Sequence, residues 1–183
     1  MNSKNSQMKI ESERLYIKPF KNEDFENFVS LHKNGETAKL MGKGLISDEE
    51  IKKRFNNVLA HQEELGFSSW QVFEKKTNEF VGRCGLVKIG TLVQTDEDHS
   101  DKIEIGYAFL PKFWGYGYCQ EIVPPVLRYG FENLKLKTIF AKTAKENLKS
   151  YHLLTKKFHF KHYSNIRIEG RDSELFILTA EDK

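Results

Sequence analysis

The run Ile103-Glu104-Ile105-Gly106-Tyr107-Ala108-Phe109-Leu110-Pro111-Lys112-Phe113-Trp114-Gly115-Tyr116-Gly117-Tyr118 decides the fold. Its first half is β-branched and aromatic, closed by Pro111, and reads as a buried strand. Its second half brings two glycines, one residue apart, to the start of Cys119 to Leu134, a segment long enough for a helix and apolar at helical spacing. Glycine tolerates left-handed backbone. Gly115 and Gly117 therefore let the chain curl until several N–H groups converge, backed by the positive end of the helix dipole. Such a concavity holds a phosphate or pyrophosphate; a purely structural turn is the competing reading. A dinucleotide fingerprint is excluded by Gln120, where a third small residue is needed, and a P-loop by Tyr118-Cys119, which cannot supply Lys-Ser/Thr.

Working outward, Ser68 to Glu74 and Phe80 to Ile89 read as strands joined across Lys75-Lys76-Thr77-Asn78, and Thr91 to Asp101 as a polar loop. Arg14 to Pro19 reads as an edge strand. Asn22 caps a helix to Leu31, with Glu23 and Asp24 in its first turn. Met41 to Ile46 is loop. Ser47 with Glu50 three residues on is a capping box, opening a helix whose stripe is Ile51, Phe55, Val58 and Leu59. Beyond the central helix, Pro124-Pro125 remove N–H groups, so that helix is expected to bend there. A strand at Thr138 to Thr143, a helix at Leu148 to Lys157, and a hairpin of Lys161 to Ile168 with Leu175 to Leu178 complete the order. This is an α/β pattern with a mixed sheet.

The 183 residues fit one domain, with 1–10 as a frayed tail, able to bury roughly 70% of the unfolded surface. Hydrophobic residues at 39%, charged residues at 30% and 14 Phe describe a soluble chain with an aromatic core. A net charge of +3 gives no case for nucleic acid. No run of about 18 apolar residues exists for a membrane span. Met1 to Gln7 lacks the apolar core of a signal peptide, so a cytoplasmic protein is expected. Cys84 and Cys119 make no disulfide framework, and the six histidines do not converge on a metal site.

With its elements in this order the chain resembles the GNAT superfamily of acyl-CoA-dependent N-acyltransferases, in particular the branch of ribosomal-protein N-terminal acetyltransferases. Three motifs carry the resemblance: Glu13-Arg14-Leu15-Tyr16-Ile17-Lys18-Pro19-Phe20, then Glu104-Ile105-Gly106-Tyr107 with Trp114-Gly115-Tyr116-Gly117-Tyr118, then Asn147-Leu148-Lys149-Ser150. The resemblance implies a mixed, mostly antiparallel sheet of six to seven strands with a central splayed parallel pair, flanked by about four helices. It implies acetyl-CoA as co-substrate and no metal. The pyrophosphate would lie on backbone N–H groups from Phe113 to Tyr118 and the helix start at Cys119, with Lys112 at the head of the loop, where the superfamily usually has Arg or Gln. Pantetheine would enter the splay and pair with backbone of Tyr107, Ala108 and Phe109, which polarises the thioester.

The chemistry then falls to few side chains. Glu104 is the candidate general base, since a carboxylate in a central strand is costly unless it faces a wet cleft. The alternative is a carboxylate paired with a lysine or arginine on the sheet face. The family's leaving-group tyrosine is replaced by Leu154, and Phe158-His159-Phe160 carries one residue more than the family pattern. Ser150 is the branch's usual substitute acid, against a serine that merely satisfies the helix N-terminus; Tyr151 is a third candidate. Asn147 would orient cofactor or hold the strand end. Cys119 is read as a small residue beside phosphate in preference to an activated thiol.

The implied activity is acetyl transfer to a primary amine, either a protein N-terminus or a small molecule such as an amino sugar, polyamine or amino-acid derivative, by a monomer or homodimer. The alternative is a non-catalytic acyl-CoA-binding or regulatory module. Loops at 39–46, 90–101 and 166–171 would select the acceptor.

Overall fold

The computed structural model describes residues 10–182. Apart from Ile10, the tail expected at 1–10 lies outside these residues. Ile10 itself is buried in the core, its carbonyl accepting from the Ile17 N–H at 3.0 Å, so it is not frayed.

Runs rich in β-branched and aromatic residues produce seven strands. They are β1 (Leu15–Pro19), β2 (Ser69–Glu74), β3 (Phe80–Lys88), β4 (Ile103–Phe109), β5 (Thr138–Ala144), β6 (Lys161–Ile168) and β7 (Arg171–Thr179). They form one sheet in the order β1-β2-β3-β4-β5-β7-β6. Every neighbouring pair is antiparallel except β4 with β5. The helices are α1 (Phe25–Lys33), α2 (Gly35–Leu40), α3 (Asp48–Leu65), α4 (Tyr118–Glu132) and α5 (Leu148–His152).

Local chemistry explains the differences from the sequence reading. Asn22 does not cap the first helix. Residues Asn22–Asp24 form a 3₁₀ turn, closed by Asp24 accepting the Lys21 N–H at 2.8 Å, and α1 starts only at Phe25. The unforeseen α2 is capped by Asn34, which accepts the Thr37 N–H at 3.0 Å. Ser47 caps α3 as expected, taking the Glu50 N–H at 3.2 Å, but the Glu50 carboxylate turns to Arg54 Nε at 3.0 Å. At Pro124-Pro125, where a bend is expected, α4 continues as one helix, with Pro124 exposed and Val123 and Val126 buried.

After α5 the chain makes a π-helical turn, Leu153–Lys157, with the Phe158 N–H on the Leu153 carbonyl at 2.9 Å. A π turn absorbs one extra residue. That is the residue counted in Phe158-His159-Phe160, and His159 takes the left-handed φ of +59°.

The sheet divides the interior in two. Ile105 and Phe109 of β4 pack with Ile122, Val123, Val126 and Leu127 of α4. Ala108 faces the other way, onto a core built from Phe28 of α1 and Ile51, Phe55 and Val58 of α3. The two faces of β4 thus open on two different chemical environments.

Candidate active site

The parallel neighbours β4 and β5 share a single register pair, Glu104 with Phe140, and then separate. The opening belongs to a cleft of about 900 Å³ lined by both strands, the loop before α4 and the start of α5. The other edge of β4 is paired with β3 along its whole length. The Leu110 N–H bonds to the Val81 carbonyl, so by alternation the backbone groups of Gly106 and Ala108 also face β3. Those of Ile105, Tyr107 and Phe109 face the opening. The Phe109 carbonyl is taken by Trp114 Nε1 at 2.8 Å and by the Thr37 hydroxyl at 3.3 Å. Of the three peptides expected to meet pantetheine, Ala108 is therefore engaged by β3 and Phe109 by side chains. Tyr107 keeps both of its groups toward the gap.

The loop before α4 takes its shape from Gly115 and Gly117, at φ +84° and +80°. Other residues adopt this region at a cost of about 1–2 kcal/mol. The Phe113 and Trp114 N–H groups are spent on the carbonyls of Leu110 and Pro111, which narrows the set expected from Phe113 onward. From Gly115 to Gln120 the N–H groups donate to nothing among the described residues. Gly117 is the helix N-cap and offers no side chain in their place. Arg14 fastens the loop from outside, giving Nη2 to the Tyr116 carbonyl at 2.9 Å while pairing with Glu121. The sequence reading took Arg14 only as strand. Lys112 pairs with Glu79 and Tyr116 is 57% exposed, and neither lines the cleft.

On the α4 side of the cleft, the Tyr107 hydroxyl meets the Ser150 hydroxyl at 3.1 Å. The Asn147 side chain accepts the Ser150 N–H at 3.2 Å, so Asn147 caps α5 and the serine hydroxyl is left for Tyr107. Burial raises the Tyr107 phenol well above its ordinary value and so keeps it protonated. Burial likewise raises the Cys119 thiol, which suits a small wall residue and not an activated nucleophile. The Thr143 hydroxyl, buried in the cleft wall, has no partner among the described residues. Tyr151 packs edge-on against Phe176 at 5.7 Å and is not a cleft residue. Leu154 is 1% exposed, inside the core. Unpaired N–H groups at a helix start and an orphaned hydroxyl along the gap fit a ligand with a pyrophosphate and an amide-bearing arm.

On the opposite side, Glu104 is 4% exposed and ion-paired with Lys142 of β5. Arg83 of β3 also lines this side. All three loops expected to select the acceptor contribute here, through Lys39 to Gly42, Leu92 and Val93, and Ile168 and Arg171. Arg171 ties its own loop to the first, donating to the carbonyls of Lys39 (3.1 Å) and Gly42 while pairing with Glu146. Lys142, Arg83 and Arg171 were not singled out in the sequence, because their value lies in strand register.

Behind this side His32 is 3% exposed, its Nε2 unpartnered among the described residues, and its pKa is lowered to about 3 by burial and by the nearby Arg83 and Arg54 charges. Between that value and the unfolded value near 6.5, the unfolded chain holds a proton that the folded chain refuses. Stability is therefore full above about pH 6.5 and falls as pH drops, by up to about 1.4 kcal/mol per unit from this residue. Urea melts of wild type and His32→Gln at pH 7 and pH 5.5 should show a smaller acid loss in the variant.

Residues 14–160 match the family model described as the acetyltransferase (GNAT) domain, and the chain belongs to this family of acetyltransferases. A relative in Aspergillus fumigatus, FsC-acetyl coenzyme A-N(2)-transacetylase, is 29% identical over 147 residues, covering 79% of this chain and 62% of its own length. Among solved structures, a GNAT-family acetyltransferase from Bacillus anthracis superposes with a TM-score of 0.71 at 23% identity, covering 95% of this chain and 99% of that one. RimL, a ribosomal L7/L12 alpha-N-protein acetyltransferase in complex with coenzyme A, gives 0.71 at 16% identity, covering 96% of this chain and 100% of that one. The mixed sheet with its one parallel pair is the GNAT fold expected from the motifs. Among the described residues no helix is long and apolar enough to cross a membrane.

Proposed function

We propose that the protein transfers the acetyl group of acetyl-CoA to a primary amine by direct attack in a ternary complex. The observation that carries this reading is the splay of β4 from β5, with unspent N–H groups and a hydroxyl pair on one side and a buried carboxylate on the other. Acetyl-CoA supplies the activated thioester. N–H groups from Gly115 to Gln120 hold its pyrophosphate, and the Tyr107 N–H meets the carbonyl oxygen as charge develops there. Glu104 accepts the proton of the acceptor ammonium, directly or through water. The C–N bond forms as the C–S bond breaks, the nitrogen's second proton leaves to water, and Ser150 gives its proton to the sulfur and regains one from water through the Tyr107 hydroxyl. A panel of primary amines incubated with acetyl-CoA, monitored for free thiol, tests the reading. Coenzyme binding without thiol release from any amine would leave the binding-module alternative, which the buried Leu154 at the family's tyrosine position favours.

Ser150→Ala is expected to lower kcat by about tenfold, ~1.4 kcal/mol of barrier, with little change in the Kd for coenzyme A. Tyr107→Phe removes only the partner and should cost less. Single-turnover rates beside thermal melts separate chemistry from folding. An unchanged rate with a lower Tm would assign the proton to water.

A further inference from the structure

We infer that the acceptor carries a carboxylate close to its amine and that Arg83 receives it. This rests on the acetyltransferase reading and names the substrate class for that site. Arg83 is 5% exposed and lines the acceptor side of the cleft. Its Nη1 reaches the Ser69 hydroxyl at 3.3 Å and its Nη2 the Met41 sulfur at 3.8 Å, while Nε has no partner. A guanidinium has five N–H donors, and burying one with a hydroxyl and a thioether for company is costly. No carboxylate among the described residues lies within ion-pair distance of it.

The other buried and half-buried cations on this wall each have a carboxylate partner. Glu104 is committed to Lys142, Arg171 has Glu146, and Arg54, behind Arg83, has Glu50 and Glu169. His32 is held neutral. Arg83 alone among these cations has no carboxylate within ion-pair distance, so its donors are open to an anion that the acceptor brings.

Geometry sets where the anion sits relative to the reacting nitrogen. A methyl group at Gly106 would stand 3.5 Å from Arg83 Nη1, so the guanidinium lies beside Gly106. Gly106 follows Glu104 by two residues on the same face of β4, roughly 6.6 Å along the strand. An ammonium at Glu104 and a carboxylate at Arg83 are then joined by a few carbons, the layout of an amino acid. Planar guanidinium and planar carboxylate match in a bidentate pair. A protein N-terminus, whose carboxyl is an amide, and a polyamine both lack this group.

Matched acceptors decide the matter: phenylalanine against 2-phenylethylamine, alanine against ethylamine and leucine against 3-methylbutylamine, each rate corrected for the neutral-amine fraction. Wild type should favour an amino acid over its decarboxylated partner by at least about tenfold in kcat/KM, the range of hydrogen bonds to charged groups. Arg83→Met should lose that preference while acetyl-CoA affinity, measured by calorimetry without acceptor, stays constant. If Arg83→Met does not fold, Arg83→Lys keeps the charge without the fork and should raise KM for the amino acid only. The inference is overturned if only carboxylate-free amines are accepted, if no carboxylate-bearing amine turns over, if folded Arg83→Met keeps the preference, or if Arg83→Lys leaves KM unchanged. Failure of acetyl-CoA to bind would instead sink the acetyltransferase reading, so the two failures are distinct.

Discussion

Glu104→Gln is expected to reduce kcat by at least about 10²-fold, the usual scale for loss of a general base, with acetyl-CoA affinity retained. The loss should shrink at high pH, where more of the amine arrives already neutral. Because Glu104 is buried against Lys142, the substitution also strands an ammonium inside the protein, at about 3 kcal/mol or more. Turnover could then fall through misfolding alone. The double variant Glu104→Gln/Lys142→Met separates the two effects, since it removes the stranded charge and should recover most of the stability without recovering the rate. If rate returns together with stability, Glu104 is a structural half of an ion pair.

Gly117→Val is expected to weaken coenzyme A by about 30-fold, near 2 kcal/mol. The reason is backbone and not bulk. Gly117 stands at φ +80°, where a β-branched residue is strained, and a Cβ there would come no closer than 3.8 Å to its nearest neighbour, Arg14 Nη2. The variant should relax by turning the peptide, which swings the neighbouring N–H groups out of alignment. Since Gly117 is the cap of α4 at the surface of the fold, the core is untouched and the melting temperature should move little. Calorimetry on a folded Gly117→Val protein with unchanged affinity would disprove the phosphate-loop assignment.

How much of this was readable in the sequence depended on whether the signal was local. The strand–loop–helix unit around Tyr107 and Gly115 declares itself through β-branched residues, paired glycines and helical spacing, all within one stretch. The mostly antiparallel sheet and its splayed pair came with the family resemblance that the motifs carry, while the order of the strands did not. What stayed hidden was long-range. Arg14 reaches Tyr116 across the start of the sheet, and Lys142 meets Glu104 only because β5 lies beside β4 in parallel register. The paired fates of Ser150 and Asn147 turn on which of two adjacent polar groups caps the helix, a competition that spacing leaves open. The short α2 escaped because six residues offer no periodicity, although Asn34 is a good cap. The extra residue near Phe158 was visible as a count, but not the π turn that absorbs it.

The Arg14 tether also joins two parts of the molecule with different fates. One end of the arginine belongs to the approach to β1, an edge strand of the sheet, and the other to the loop proposed to hold the donor. Thermodynamic reciprocity makes any tightening of that loop by a ligand a tightening of the strand as well. An outer strand is where sheets of separate molecules zip together and aggregate. On the proposed reading, donor bound at that loop would steady this edge through Arg14 as well, and Arg14→Ala would uncouple the two.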